Sequence, residues 1–161
     1  MIVIVMGVTG AGKTTIGKLL AAELGWQFAD ADDFHPAANV EKMKHGISLD
    51  DADREPWLAR LRTEITRWLA DGRDLVLACS ALKGAYRQEL KVSAEVRFVY
   101  LKGSAALITE RLRSRHGHFA GEQILACQFA DLEEPKDAVM VDISATPEQI
   151  VADIRQKLSL A

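Results

Sequence analysis

The sequence predicts an α/β fold, a five-stranded parallel sheet with helices on both faces. Three observations carry this. Short apolar runs of strand length recur along the chain, segments with helical apolar spacing separate them, and a glycine-rich loop joins the first run to the first helix. At 161 residues, the chain matches the size of one domain spanning 1–161.

The elements follow in order. Ile2–Met6 (IVIVM) is apolar throughout, as expected of a strand covered on both faces. Ile16, Leu19, Leu20 and Leu24 recur at helical spacing and stop at Gly25. Gln27–Asp30 is a short strand that ends on acidic residues, and Asn39–His45 a short helix closed by Gly46. Leu58, Leu61, Ile65, Trp68 and Leu69 form one helix face, with Pro56 near its start and Gly72 past its end. Leu75–Cys79 and Val96–Leu101 are the next strands. Leu107, Ile108 and Leu112 mark a helix running into the basic segment Arg111–His118, and Ile124, Leu125 and Phe129 mark another. Ala138–Ile143 is the last strand, and Thr146-Pro147 opens a helix carrying Ile150, Val151, Ile154 and Leu158. Repeated strand–helix alternation implies parallel pairing through right-handed crossovers.

Composition narrows the function class. Twenty Lys and Arg against 23 Asp and Glu leave a net charge of −3, which argues against a dedicated nucleic-acid binder. Within residues 83–118, however, eight basic residues face three acidic ones, so charge suited to anions is concentrated there. No apolar run approaches the roughly 20 residues of a membrane helix, and Ile2–Met6 is too short for a signal peptide. Cys79 and Cys127 lie far apart without zinc spacing, and both read as buried small hydrophobes. A cytoplasmic or otherwise reducing compartment is expected.

The sharpest signal is Gly7-Val8-Thr9-Gly10-Ala11-Gly12-Lys13-Thr14, followed by Thr15. It has the GxxxxGK[ST] spacing of a phosphate-binding loop, between a strand and a helix as that motif requires. Its glycines let backbone N–H groups face a phosphate chain, and the following helix presents its positive end to the same anion. Lys13 can reach the terminal phosphates, and the Thr14 hydroxyl can ligate Mg²⁺. The chain has no guanine-reading motif, and the third strand ends on Cys79-Ser80 instead of a Walker B aspartate. ATP-dependent phosphorylation of a small molecule fits these features.

The acceptor side is less specific. Asp30-Ala31-Asp32-Asp33-Phe34-His35-Pro36 follows the second strand at a carboxyl end, where a carboxylate can take a hydroxyl proton or hold Mg²⁺ through water. The same residues also suit a turn. Lys83 and Arg87, four apart, can hold an anion or form a solvated helix face. Arg54 can clamp a carboxylate, or the Asp50–Arg54 stretch can simply open a helix. Arg111, Arg113 and Arg115, with Gly117 as a hinge, suit a lid over a transferring phosphoryl group.

Taken together, these motifs resemble the gluconate kinases (gluconokinases), small relatives of shikimate and adenylate kinases. The ordered set is the phosphate loop, Asp30-Ala31-Asp32 with His35-Pro36, and Asp53-Arg54 with Pro56-Trp57. It continues through Cys79–Lys83 with Tyr86-Arg87, Gly117-His118-Phe119, and Gln128-Phe129 with Leu132-Glu133. The resemblance runs from Ile2 to Asp142. It implies a shikimate-kinase type of sheet and ATP-dependent phosphorylation of the 6-hydroxyl of D-gluconate. A homodimer and a lid over residues 113–121 are implied as well. Gly7, Thr9, Gly10, Ala11, Gly12, Lys13, Thr14 and Thr15 would hold ATP, with Mg²⁺ on Thr14 and on Asp32 through water. Asp32 would orient the hydroxyl as base, and His35, Arg54, Lys83, Arg87 and His118 would line the gluconate site. Arg111 would pack on the adenine, and Arg115 would close on the phosphates. Ala31, Phe34 and Gly84 stand where the family commonly has Gly, Leu and a basic residue. Another small acceptor, or nucleotide-dependent binding without catalysis, are the alternatives.

Overall fold

The computed structural model describes residues 1–114 and 122–161 in full, and between them only the backbone to His116 and from Phe119. Of the residues expected in a lid, the Arg115 side chain and all of His118 therefore lie outside the described residues.

The strands are β1 (Ile2–Met6), β2 (Gln27–Asp30), β3 (Leu75–Ala78), β4 (Val96–Lys102) and β5 (Val139–Asp142). The helices are α1 (Lys13–Leu24), α2 (Ala37–Lys44), α3 (Asp51–Ala70), α4 (Gly84–Leu90), α5 (Ala105–His116), α6 (Phe119–Asp131) and α7 (Pro147–Leu158). A 3-10 turn, Ala31–Phe34, follows β2. The five strands pair in parallel, as the alternating pattern predicts, and the structure sets their order as β2-β3-β1-β4-β5.

β1 is central and wholly buried, so its side chains divide strictly between two cores. Val3 and Val5 join Val76, Val99 and Leu101 under Ile16 and Leu20 of α1, Ile108 and Leu112 of α5, and Ile150 and Ile154 of α7. Ile2, Ile4 and Met6 join Leu75, Leu77 and Phe98 under Trp57, Leu61 and Ile65 of α3 and Leu90 of α4. This two-sided cover explains why the strands read as unbroken apolar runs. It also turns the carboxyl ends of β1, β2 and β3 toward one rim.

α3 starts earlier than the position of Pro56 suggests. Asp50 and Asp53 form a reciprocal capping box, so the helix opens at Asp51 and Pro56 lies inside it. Cys79 is buried as expected, whereas Cys127 is exposed. On α6 the core-facing residue is Leu125, and Cys127, two positions on, points away from it.

α1 approaches the sheet closely because Gly17 has no side chain. A Cβ there would stand 2.7 Å from Cε2 of Phe28 on β2. Replacing helical Gly by Ala ordinarily gains roughly 1 kcal/mol. Here we expect Gly17→Ala to destabilise by about 1–3 kcal/mol through overpacking. Urea unfolding that shows equal or greater stability would contradict this packing.

Candidate active site

The phosphate loop spans the gap between β1 and α1. Gly10 and Gly12 both take positive φ, 79° and 96°, which L side chains rarely adopt. Gly12 is the N-cap of α1 and has no side chain to cap the helix, so no capping side chain stands between an anion and the positive end of α1.

Lys13 folds back over the loop, and its Nζ donates to the Val8 carbonyl at 3.0 Å. Burial pushes its ammonium below the ordinary lysine value, and the Asp32 and Asp30 carboxylates pull it back up. The Thr14 hydroxyl donates to Asp30 Oδ2 at 3.1 Å. Asp30 Oδ1 accepts from the Asp32 N–H at 2.9 Å and so caps the 3-10 turn. Asp30 thus holds the turn with one oxygen and meets the Thr14 hydroxyl with the other. The pattern of the two aspartates leaves that role undecided.

Three clefts run along the loop. The first, about 160 Å³, is lined by Thr9, Lys13, Asp32, His35, Arg54 and Gln128, among others. A closed cavity of about 150 Å³ can hold a six-membered carbon ring, so this space suits a small acceptor. The second, about 170 Å³, contains Gly10, Gly12, Lys13, Thr14, Asp30 and Asp32. The third and largest, about 460 Å³, contains Gly12, Thr15, Leu107, Arg111 and Pro147. Thr9, Lys13 and Asp32 belong to both of the first two, and Gly10, Gly12 and Thr15 to both of the last two. The clefts therefore form one trough with Lys13 and Asp32 at the first junction. Ala11 lies in the largest cleft, while Gly7 is buried beneath the loop, where a Cβ would meet the Leu101 carbonyl at 3.1 Å. Arg111 is held in place by donating to the Ile143 carbonyl at 2.6 Å.

The Asp32 side chain is 72% exposed, and the surrounding protein removes only part of its hydration. That partial loss and the neighbouring Asp30 charge raise its pKa, and Lys13 opposes them. His35, whose side chain is only 4% exposed, has Nε2 3.8 Å from Asp32 Oδ1. Its ring stacks on Trp57 with centroids 4.5 Å apart and an 11° interplanar angle. Trp57 also donates through Nε1 to the Ala31 carbonyl at 2.8 Å, so α3 fixes both ends of the turn bearing Asp32. Burial, then the Arg54 charge, push His35 down to about 4. It is neutral at physiological pH.

Arg54 is a buried cation with a paired fork. Nη1 donates to the Tyr86 hydroxyl at 3.0 Å and Nη2 to Asp131 Oδ2 at 2.9 Å. Gln128 connects the acceptor cavity to the loop, because its Oε1 accepts from the Thr9 N–H at 2.6 Å. It stands in the Gln128-Phe129 motif, but spacing alone assigns it no role.

Lys83 and Arg87 do not line the acceptor cavity. Lys83 pairs with Asp51 at 2.9 Å, and Asp51 also accepts from the Tyr86 hydroxyl. Arg87 donates to the carbonyls of Ala81, Leu82 and Glu133 at 2.8, 3.0 and 2.8 Å. It braces the loop after β3, where Ala81 takes φ 45°, against the segment after α6. Lys83 is the extended N-cap of α4 and Arg87 lies inside the helix, and a carboxylate and carbonyls from other segments occupy their donors.

His35 gives a pH signature. Its folded pKa of about 4 lies below the ordinary histidine value of 6.5, so between those pH values the unfolded chain binds the proton more readily. The stability it contributes is complete above pH 6.5 and declines as pH falls toward 4. We expect the stability gap between wild type and His35→Gln to shrink, in favour of the variant, over that window. Parallel pH curves from chemical denaturation would refute the assignment.

Comparison with known proteins agrees with this geometry. The shikimate kinase family model matches residues 9–159. A probable gluconokinase of Xenopus tropicalis is 40% identical, covering 99% of this chain and 96% of its own. A gluconokinase of Gluconobacter oxydans is 45% identical, covering 83% of this chain and 76% of its own. The crystal structure of a gluconokinase from Sinorhizobium meliloti 1021 superposes with a TM-score of 0.88 at 38% identity, over 98% of this chain and 90% of that one. With a trough joining a phosphate loop to a small acceptor cavity, and relatives of this identity across nearly its whole length, the chain belongs to the gluconokinases, within the shikimate kinase family.

Proposed function

We propose that this protein transfers the γ-phosphoryl group of ATP to the 6-hydroxyl of D-gluconate, giving 6-phospho-D-gluconate and ADP. The observation that carries this is the shared position of Lys13 and Asp32, which border the acceptor cavity and the phosphate cleft at once. The kinship with gluconokinases supplies the acceptor class.

In this reading ATP lies along the trough, its base beside Arg111 and its phosphates on the loop from Gly7 to Thr15. The 6-hydroxyl oxygen attacks the γ-phosphorus in line. Its proton passes to Asp32, and the bond from the γ-phosphorus to the bridging oxygen of ADP breaks. Because such transition states are loose, Lys13 contributes chiefly by stabilising equatorial charge and Asp32 by orienting the hydroxyl. Arg54 sits where the cavity needs a cation for the gluconate carboxylate, and His35 lines the polyol.

The residues present also fit Mg²⁺. A threonine hydroxyl hydrogen-bonded to a carboxylate, beside the phosphate cleft, is a hard-oxygen set suited to an ion held mainly by phosphates and water. Thr14 would bind it directly, with Asp30 and Asp32 through water, and the ion would neutralise phosphate charge. Arg115 and His118 are proposed to close over the phosphates from a lid spanning residues 113–121 of a single domain. We further propose a homodimer working in the cytoplasm. No helix among the described residues is long and apolar enough to cross a membrane.

A coupled ADP-release assay over sugar acids, shikimate and nucleoside monophosphates tests this reading. Gluconate should stimulate turnover most, and Lys13→Ala should cost about 10²-fold or more in kcat. His35→Ala should cost far less in kcat and act mainly on the acceptor KM. Stimulation by another acceptor but not by gluconate, or near-normal turnover in Lys13→Ala, would sink the proposal.

A further inference from the structure

Among the described residues two polar or charged residues, counted with their backbone, are buried: Arg54 and Asn39, 7% and 3% exposed. Arg54 belongs to the acceptor cavity, whereas Asn39 has no part in the mechanism above. It lies on α2, behind His35. Its Nδ2 is 2.7 Å from the Asp53 carbonyl and 3.2 Å from His35 Nδ1.

These contacts determine where a proton sits. A backbone carbonyl only accepts hydrogen bonds, so the Asn39 atom facing Asp53 is its amide nitrogen. That nitrogen has two hydrogens. One goes to Asp53, and the other faces His35 Nδ1. A ring nitrogen that accepts has no proton of its own, and a neutral imidazole carries only one. The His35 proton is therefore on Nε2, the nitrogen nearer Asp32. The carbonyl that starts this chain is itself well fixed. Asp53 closes the capping box of α3, and its carboxylate accepts from Lys42 of α2 at 2.8 Å.

We propose that Asn39 is a positioning residue: by donating to Nδ1 it holds His35 in the Nε2–H tautomer, so His35 presents a hydrogen-bond donor to the acceptor cavity. Asp32 is then left as the proton acceptor on that wall. The 3.8 Å between Nε2 and Asp32 Oδ1 is too long for a direct hydrogen bond. A hydroxyl oxygen fits between such groups, accepting from His35 and donating to Asp32. The ligand atom bound by His35 must carry a lone pair, which favours hydroxyl or carboxylate oxygens and disfavours ammonium groups. The tautomer follows from the fold alone, whereas its effect on acceptor binding rests on the proposed function.

Nitrogen-15 NMR of histidine-labelled protein at neutral pH, with the His35 signal assigned by its loss in His35→Gln, reads the tautomer directly. Wild type should show a protonated Nε2 and an unprotonated Nδ1. Asn39→Asp, whose carboxylate accepts a proton donor, should move the proton to Nδ1. Asn39→Leu, which neither donates nor accepts, should give a mixture. In kinetics with gluconate, either variant should raise the acceptor KM about tenfold, the loss of one hydrogen bond, with the ATP KM unchanged. A wild-type ring protonated on Nδ1 would overturn the proposal. So would an Asn39→Leu protein whose His35 remains wholly Nε2–H. Should gluconate fail as acceptor while the spectra behave as stated, the functional reading falls and the tautomer assignment stands.

Discussion

The site depends on one constraint: Lys13 carries its charge half-buried at the junction of two clefts, beside two carboxylates. Burying an ammonium is costly unless partners replace its hydration. It has three hydrogens to donate, and the bond to the Val8 carbonyl uses one. Asp30 and Asp32 act on it through space. The remaining capacity faces the clefts, so a polyanion entering the trough brings what the lysine lacks. Phosphates gain most where that deficit is greatest, and that place is also the junction with the acceptor cavity.

The rest of the fold keeps this arrangement rigid. β1 is buried on both faces, so the loop leaving it starts from a fixed point. Gly17 lets α1 lie close against β2, which sets the distance between Thr14 on one and Asp30 on the other. Trp57 ties the Asp32 turn to α3, while Gln128 and Asp131 on α6 reach the phosphate loop and Arg54. One helix thus braces both the phosphate loop and Arg54. A change in the position of α6 would be felt at Thr9 and at Arg54 together.

The sheet was legible in the sequence because two-sided burial leaves a local mark, an unbroken apolar run such as Ile2–Met6. The phosphate loop was legible for a similar reason, since one short segment supplies all its donors. The acceptor side was not local. Lys83 and Arg87 stand at the start of one helix, Lys83 as its N-cap, but spacing is silent about the Glu133 carbonyl that takes Arg87, 46 residues away. The Thr9–Gln128 bond spans 119 residues, and only the resemblance drew attention to that motif. Asn39 left no signal at all, because an asparagine in a polar helix becomes informative only once His35 and Asp53 are seen on either side of it.

The central claim is that phosphoryl donor and acceptor hydroxyl meet between Lys13 and Asp32. A crystal structure with D-gluconate and a non-hydrolysable ATP analogue tests it most directly. The account predicts the 6-hydroxyl within hydrogen-bond reach of Asp32, roughly 2.6–3.2 Å, with the γ-phosphoryl group against Lys13 and in line with that oxygen. Gluconate bound away from the cavity of Asp32, His35 and Arg54, or turned so that another oxygen faces the phosphate, would contradict it.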